Sequence, residues 1–237
     1  MSLKSAHAAP ANRLLAGLPA RGRQSIDASC ELVKLTFAQV LCESGDRIRH
    51  VYFPVKGFIS LVTALDDDTR LEIGMVGDEG MLGISLALGV HVSPQHALVQ
   101  GAGEALRMSA AAFNRHYEEN ADLQKILLRY VHVVMSQLAQ TAACNRFHVV
   151  EARLARWLLL TRDRAHSDRF RLTHEFLAYM LGVRRVGITQ AANALQERGL
   201  ISYVRGEITI LDRAKLGLAS CVCHRQALQT YQQLLPA

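Results

Sequence analysis

The stretch LTHEFLAYMLGVRRVGITQAANALQERGLISYVRGEITILDR, residues 172–213, decides how this chain is read. Thr173 stands where its hydroxyl can cap a helix, and Glu175 follows in the electropositive first turn. Phe176, Leu177, Met180 and Leu181 repeat at helical spacing, and Gly182 ends the helix. After a tight turn, Ile188, Ala191, Ala192 and Leu195 define the buried face of a second helix. Arg184, Arg185, Thr189, Gln190 and Asn193 are left on its outer side. Arginine forks onto guanine, glutamine and asparagine pair bidentately with adenine, and threonine meets a phosphate or a thymine methyl. That set suits a DNA major groove. Beyond Gly199, the runs 200–204 and 208–211 flank Arg205-Gly206-Glu207, which predicts a two-stranded wing. Arg184, Arg185, Thr189 and Gln190 are the expected base readers, with Thr173 and Arg205 positioning the phosphate backbone.

Helix-turn-helix corners also serve as plain packing units, so the helical pattern alone does not choose between the two uses. The distribution of charge does. Residues 146–215 hold 13 Lys plus Arg against 7 Asp plus Glu, whereas the rest of the chain holds 14 of each. The whole formal surplus of +6 therefore sits in one segment, and twelve of its thirteen cations are arginine. Arginine gives planar, bidentate contacts to phosphate and guanine, so the segment reads as a nucleic-acid surface.

A chain of 237 residues, half of them hydrophobic, can bury two modest cores more readily than one. No run of eighteen apolar residues occurs, and Met1 to Asn12 lacks the apolar centre of a secretory signal, which leads us to expect a cytoplasmic protein with no membrane contact. Five cysteines in no regular framework fit a reducing compartment.

Between Glu31 and Met108 the pattern changes to short runs broken by Gly, Asp and Pro: 32–37, 47–53, 58–63, 71–76, 97–99 and 104–108. Leu32, Lys34 and Thr36 alternate with Val33, Leu35 and Phe37, the period of a half-buried strand. Asp66, Asp67 and Asp68 mark a hairpin turn. Six to eight strands at this spacing predict an antiparallel β-roll or jelly roll able to house a small ligand. The fold class expected is α+β: a β-roll sensor domain, a long helix, and a carboxy-terminal winged helix-turn-helix.

In this arrangement the chain resembles the Crp/Fnr superfamily of bacterial transcription regulators, from about Leu14 to Lys215. The most specific marks are the string from Thr173 to Gly206, Ile-Arg-His-Val-Tyr-Phe-Pro-Val-Lys-Gly at 48–57, and Val-Gly-Asp-Glu-Gly at 76–80. The resemblance implies a homodimer, a cyclic-nucleotide-binding type of barrel, a long dimer helix, and a winged domain that docks near a promoter and contacts RNA polymerase. An inverted-repeat operator on double-stranded DNA follows from the two-fold symmetry. Gly77, Asp78 and Glu79 are the candidate effector pocket, since an acid there can meet a ribose hydroxyl. The family's Arg-Ser pair for a cyclic phosphate falls here at Ser93-Pro94, with no cation, which argues against cyclic AMP and leaves the effector unidentified. Val186 stands where many relatives carry a cytosine-reading Glu, so the preferred operator should differ from the cyclic-AMP receptor's.

Ser109 can cap a helix through Tyr117, and Asn120 or Ala121 begins a longer one to about Arg146. Along it Leu123, Leu127, Tyr130, Val134, Leu138, Thr141 and Asn145 recur at spacings of three and four, as in a coiled-coil seam. Spacing alone also allows this stripe to pack on the chain's own barrel; the resemblance favours dimerisation. The expected divisions are a tail over 1–13, a sensor over 14–119, a dimer helix over 120–146 and the winged domain with its extension over 147–237.

A helix over 148–161 should open that last domain, with Val150, Leu154, Trp157 and Leu158 inward, while Arg153 and Arg156 contact phosphates or pair with Glu151 and Asp163. Cys221-Val-Cys223-His224, with Cys144 and His148 one helical turn apart, is the one constellation suited to a soft metal. Its spacing is short of the usual paired ligands, so we expect no metal and no cofactor, with small buried thiols instead. A redox or metal role for Cys144, Cys221, Cys223 and His224 stays open at this point. No nucleophile elbow, phosphate loop or zinc-protease helix occurs, so no enzyme is expected. A rival reading keeps the barrel as a ligand- or metal-binding sensor that signals through protein contacts.

Overall fold

The computed structural model describes residues 12–64, 66 and 70–235. Two short helices, α1 (Arg13–Ala16) and α2 (Ala20–Asp27), precede an antiparallel sheet of β1 (Glu31–Leu35), β2 (Val40–Cys42), β3 (His50–Ala64), β4 (Arg70–Val76) and β5 (His96–Ser109). The sheet runs β1-β5-β3-β4, with β2 also on β5. Among the described residues the sensor thus has five strands where six to eight were expected. Runs 47–53 and 58–63 belong to one continuous strand, β3, and runs 97–99 and 104–108 to its partner β5. The apparent break at Pro54 to Gly57 is a bend within the ribbon, where the register shifts repeatedly. Gly57 (φ +78°) and Gly103 allow the two backbones to close there: a Cβ on Gly103 would lie 2.0 Å from the Lys56 carbonyl oxygen. Asp66 lies in a bend, while Asp67 and Asp68 of the expected hairpin lie outside the described residues, as does most of the expected tail.

Helix α3 (Ala110–Glu119) starts on Ser109, whose hydroxyl accepts the Ala112 N–H at 3.2 Å. Asn120 caps α4 (Ala121–Phe147) by accepting from Asp122 and Leu123. Leu123, Ile126, Leu127, Tyr130 and Val133 of α4 are buried with Phe53, Met81, Met108 and Phe113 of the sensor. The helix is therefore anchored to its own barrel.

His148 and Val149 link α4 to α5 (Val150–Ala165). Next come β6 (Arg169–Arg171), α6 (His174–Leu181), α7 (Arg185–Glu197), β7 (Ile201–Val204), β8 (Glu207–Ile210), α8 (Arg213–Ala219) and α9 (Cys223–Leu234). The wing gains a third strand that the sequence pattern did not disclose, in the order β6-β8-β7. Leu154, Trp157 and Leu158 of α5 form the core of this region with α6, α7 and the wing, and Phe58, Val62 and Met75 of the sensor sheet join the same cluster. One apolar cluster thus spans the two halves and fixes how α6 and α7 are carried.

Candidate nucleic-acid interface

The Thr173 hydroxyl accepts the Phe176 N–H at 3.1 Å, and Gly182 closes α6 in the left-handed region at φ +61°. On α7, Ile188, Ala191, Ala192 and Leu195 are buried, as their spacing predicts. Arg184, Arg185, Val186, Gln190 and Asn193 stand exposed on the opposite side. Arg184 is the first residue before the helix, in extended backbone, so its side chain and that of Arg185 project from the amino-terminal end. That end carries the positive pole of the helix dipole, and it is the part of a reading helix that meets base edges.

Thr189 is half-buried and differently employed. Its hydroxyl is 3.0 Å from His174 Nδ1 and 3.2 Å from the Arg185 carbonyl, which it bonds back along the helix. The His174 ring stacks on Tyr203 with centroids 4.4 Å apart, and the Tyr203 hydroxyl donates to the Leu172 carbonyl at 3.0 Å. Burial, with the positive charge of Arg185 adding to it, holds the His174 pKa below its ordinary value. This chain of contacts ties α6, α7 and the wing together. Its members His174 and Tyr203 gave no sign in the sequence, because a lone histidine and a lone tyrosine have no periodic pattern.

The wing turns at Arg205 (φ +51°) and Gly206 (φ +80°), both left-handed, the geometry of a tight two-residue hairpin. Arg205 is thereby held at its tip. Arg184, Arg185 and Arg205, with Arg169 and Arg171 on β6, are exposed, and among the described residues none lies within ion-pair distance of a carboxylate. Most of the other cations in the same segment are occupied. Arg198 pairs with Glu151 at 2.6 Å, and Arg162 with Asp168 at 2.8 Å. Arg213 pairs with Asp163 at 3.1 Å, and Lys215 with Asp212 at 3.1 Å. Arg153 donates to the Leu181 carbonyl and Arg156 to the Thr141 hydroxyl, so neither takes the phosphate or Glu151 and Asp163 roles expected of them. Arg153 thus reaches the end of α6, and Arg156 reaches α4.

Gly77, Asp78 and Glu79 lie at the junction of the sensor with α5. Asp78 pairs with Arg13 at 3.0 Å and His166 at 3.2 Å. Glu79 Oε1 is 2.8 Å from Nε of buried Arg164, and the Tyr231 hydroxyl reaches Glu79 at 3.4 Å. A cavity of about 300 Å³ opens beside this pair, lined also by Arg13, Tyr231 and Leu235. A second cavity of about 310 Å³ lies within the sensor, between Arg47, Arg49, Tyr52, Ser85, Ser93 and Pro94. One more acid crosses the junction: Glu72 of β4 accepts from Trp157 Nε1 of α5 at 2.7 Å, and within the sheet it lies 2.5 Å from the Ser60 hydroxyl.

The expected dimer seam divides. Leu123, Leu127 and Tyr130 are buried in the chain's own core, and partly buried Val134 packs against it. The stripe repeats correctly but faces the barrel, which competes for the same apolar surface. Leu138 is exposed, Thr141 half-buried, and the large outward apolar side chains of α4 are Leu128, Met135, Leu138 and, at its end, Phe147. At the far end of α4, the side chains of Cys144, His148, Cys221 and Cys223 converge, with Cys144 Sγ 3.5 Å from Cys221 Sγ. The hydrogen bond from Cys221 holds the Cys144 pKa below its ordinary value. His224 turns the other way, to Asp163 at 3.0 Å.

Two family models match the chain: a cyclic nucleotide-binding domain over residues 32–120 and a Crp-like helix-turn-helix domain over residues 152–218. Over 175 residues, 70% of this chain and 78% of the relative, it is 23% identical to a global nitrogen regulator of Nostoc. Its fold is similar to FixK2 of Bradyrhizobium japonicum, with a TM-score of 0.68 at 13% identity, covering 81% of this chain and 98% of that one. It is likewise similar to the c-di-GMP-responsive global regulator CLP of Xanthomonas campestris, with a TM-score of 0.66 at 15% identity, covering 82% and 100%.

Proposed function

The chain belongs to the Crp/Fnr family of DNA-binding transcription regulators, and from that premise we propose that it acts as a cytoplasmic homodimer reading an inverted-repeat operator. The observation that carries this reading is the outer face of α7. Arg184, Arg185, Gln190 and Asn193 are solvent-exposed, and the two arginines have no acidic neighbour to displace before they meet DNA. Arg184, Arg185 and Gln190 are the base readers; Arg205 and the start of α6 at Thr173 hold the phosphates, and Thr189 braces the first turn of α7 through the Arg185 carbonyl. A dimer through Leu128, Met135 and Leu138 places two α7 helices on one side of the duplex. Among the described residues no helix is long and apolar enough to cross a membrane.

The junction at Gly77, Asp78 and Glu79 is where an effector would act on DNA affinity. A ligand there competes with Arg164 for Glu79 and alters how α5 is held, which shifts the population of reading-competent dimers. Contact with RNA polymerase is part of the same reading.

The test is titration of the full chain against an operator selected from random fragments, at two salt concentrations, with a scrambled duplex alongside. Arg185→Ala should cost about 1 to 3 kcal/mol on the selected site and relax selectivity at one position. Binding indifferent to Arg185, or equal on both duplexes, overturns the assignment.

A further inference from the structure

Cys144, Cys221 and Cys223 are buried, and with Ala152 beside them they form a cluster of their own, apart from the larger cores. A buried cysteine packs as a small hydrophobe, so what sets this cluster apart is how closely its ligand-capable atoms converge. The ligand-capable atoms of these cysteines and of His148 all lie within 4.8 Å of one another. Cys144 Sγ is 3.5 Å from Cys221 Sγ, and Cys223 Sγ is 3.5 Å from His148 Nδ1. Around a tetrahedral zinc ion, metal–ligand bonds of about 2.0 to 2.3 Å put neighbouring ligand atoms roughly 3.5 to 3.8 Å apart. Two edges of that tetrahedron are already at this length.

We propose that Cys144, His148, Cys221 and Cys223 bind one zinc ion in a closed Cys3His site that fastens the start of α9 to the carboxy-terminal end of α4.

The surroundings suit an anionic site. Three thiolates, a neutral imidazole and Zn²⁺ leave one net negative charge, each ligating thiol giving up its proton to solvent. Arg153 and Arg156 interact electrostatically with these cysteines, and Gln140 Nε2 donates to Cys223 Sγ at 2.9 Å. The protein also places the site at a hinge, because His148 is one of only two residues between α4 and α5. A metal on His148 fixes the angle at which the dimer helix delivers the reading domain. That consequence rests on the DNA-binding reading above; the metal itself does not.

Elemental analysis of the full chain, purified and dialysed against zinc and then against metal-free buffer, is the direct experiment. It should find about one zinc per chain, falling to near zero in Cys221→Ser/Cys223→Ser and staying near one in Cys42→Ser and His224→Ala. Gln140→Ala should retain the metal with affinity lowered about 10- to 100-fold, as for other groups that support a ligand from behind. Cobalt in place of zinc should give the intense visible bands of a tetrahedral thiolate site in the wild type and lose them in the double variant. Should the double variant fail to fold, chelation of the wild type decides instead: zinc removal must lower its unfolding temperature, and zinc must restore it. Folded wild type with only a trace of zinc, equal zinc in wild type and double variant, or a resting disulfide between Cys144 and Cys221 found by mass spectrometry overturns the proposal. Because zinc content is read without DNA, its failure and that of the operator reading are separate results.

Discussion

The arginines of α5 and those of α7 with its wing come from one basic segment, yet they do opposite things. On α5, Arg153, Arg156, Arg162 and Arg164 are each engaged by a carbonyl, a hydroxyl or a carboxylate of the chain itself. Around the reading helix, Arg184, Arg185 and Arg205 face solvent without an acidic partner. A net charge counts both sets alike. Only the second can neutralise phosphates and release counterions, because a cation already paired with a carboxylate has to lose that partner first. What distinguishes a structural arginine from one free to meet a phosphate here is therefore its neighbours.

The comparison breaks if the two sets respond alike to mutation, and the largest contrast is expected at Arg164. Arg164 and Glu79 are both almost fully buried, so Arg164→Ala strands an anion in the interior and should cost about 3 to 5 kcal/mol of stability in urea unfolding. Arg185→Ala, on an open surface, should move the same unfolding curve by no more than about 0.5 kcal/mol while it reduces operator binding. Equal losses of stability from both would erase the distinction.

A second contrast comes from the acids that hold α5 in place. Burial raises the Glu72 pKa from 4.5 to about 7, against the lowering effect of its hydrogen bonds from Ser60 and Trp157. Between those values the folded chain keeps a proton that the unfolded chain has released. Stability should therefore fall as pH rises from about 4.5 to about 7 and level off above, by about 3 kcal/mol in total from this one group. In Glu72→Gln that slope should vanish from a series of unfolding curves, while the salt dependence of DNA binding stays as it was. A slope unchanged in the variant would remove Glu72 from the account.

Much of the reading helix was legible in the sequence, because a helix that buries one face and exposes another writes both faces at a period of 3.6. Thr173, Gly182, Ile188, Ala191, Ala192 and Leu195 all follow from that pattern, as does the wing from Arg205-Gly206. The sensor was harder. A bent strand with Pro54 and Gly57 at its bend has the same local pattern as two strands with a turn between them, so β3 was divided in two. The stripe on α4 was found but its partner was not, since spacing specifies that a face is buried and not by what. The Cys3His cluster was the least legible: Cys144 and Cys221 are 77 positions apart and meet only because α9 folds back along α4. His224 adjoins Cys223 in sequence yet faces Asp163, whereas His148 reaches the thiols from another helix end.

The smallest effect is the most discriminating, because it should move stability and binding in opposite directions at one residue. Arg205 holds a left-handed backbone that costs a non-glycine residue about 1 kcal/mol or more, and asparagine tolerates that region far better. Arg205→Asn makes the turn Asn-Gly, the sequence that two-residue hairpins of this kind favour, so the wing should gain up to about 1 kcal/mol of stability. It also removes a cation from the wing tip. Binding should weaken alike on the selected and the scrambled duplex, and the slope of log affinity against log salt should become shallower by about 0.9, the share of one phosphate contact. Lost selectivity without a change in slope would make Arg205 a base reader instead, and an unchanged slope with unchanged affinity would take the wing off the DNA. A more stable protein that binds every sequence less well is the result that only an unpaired, backbone-positioning arginine predicts.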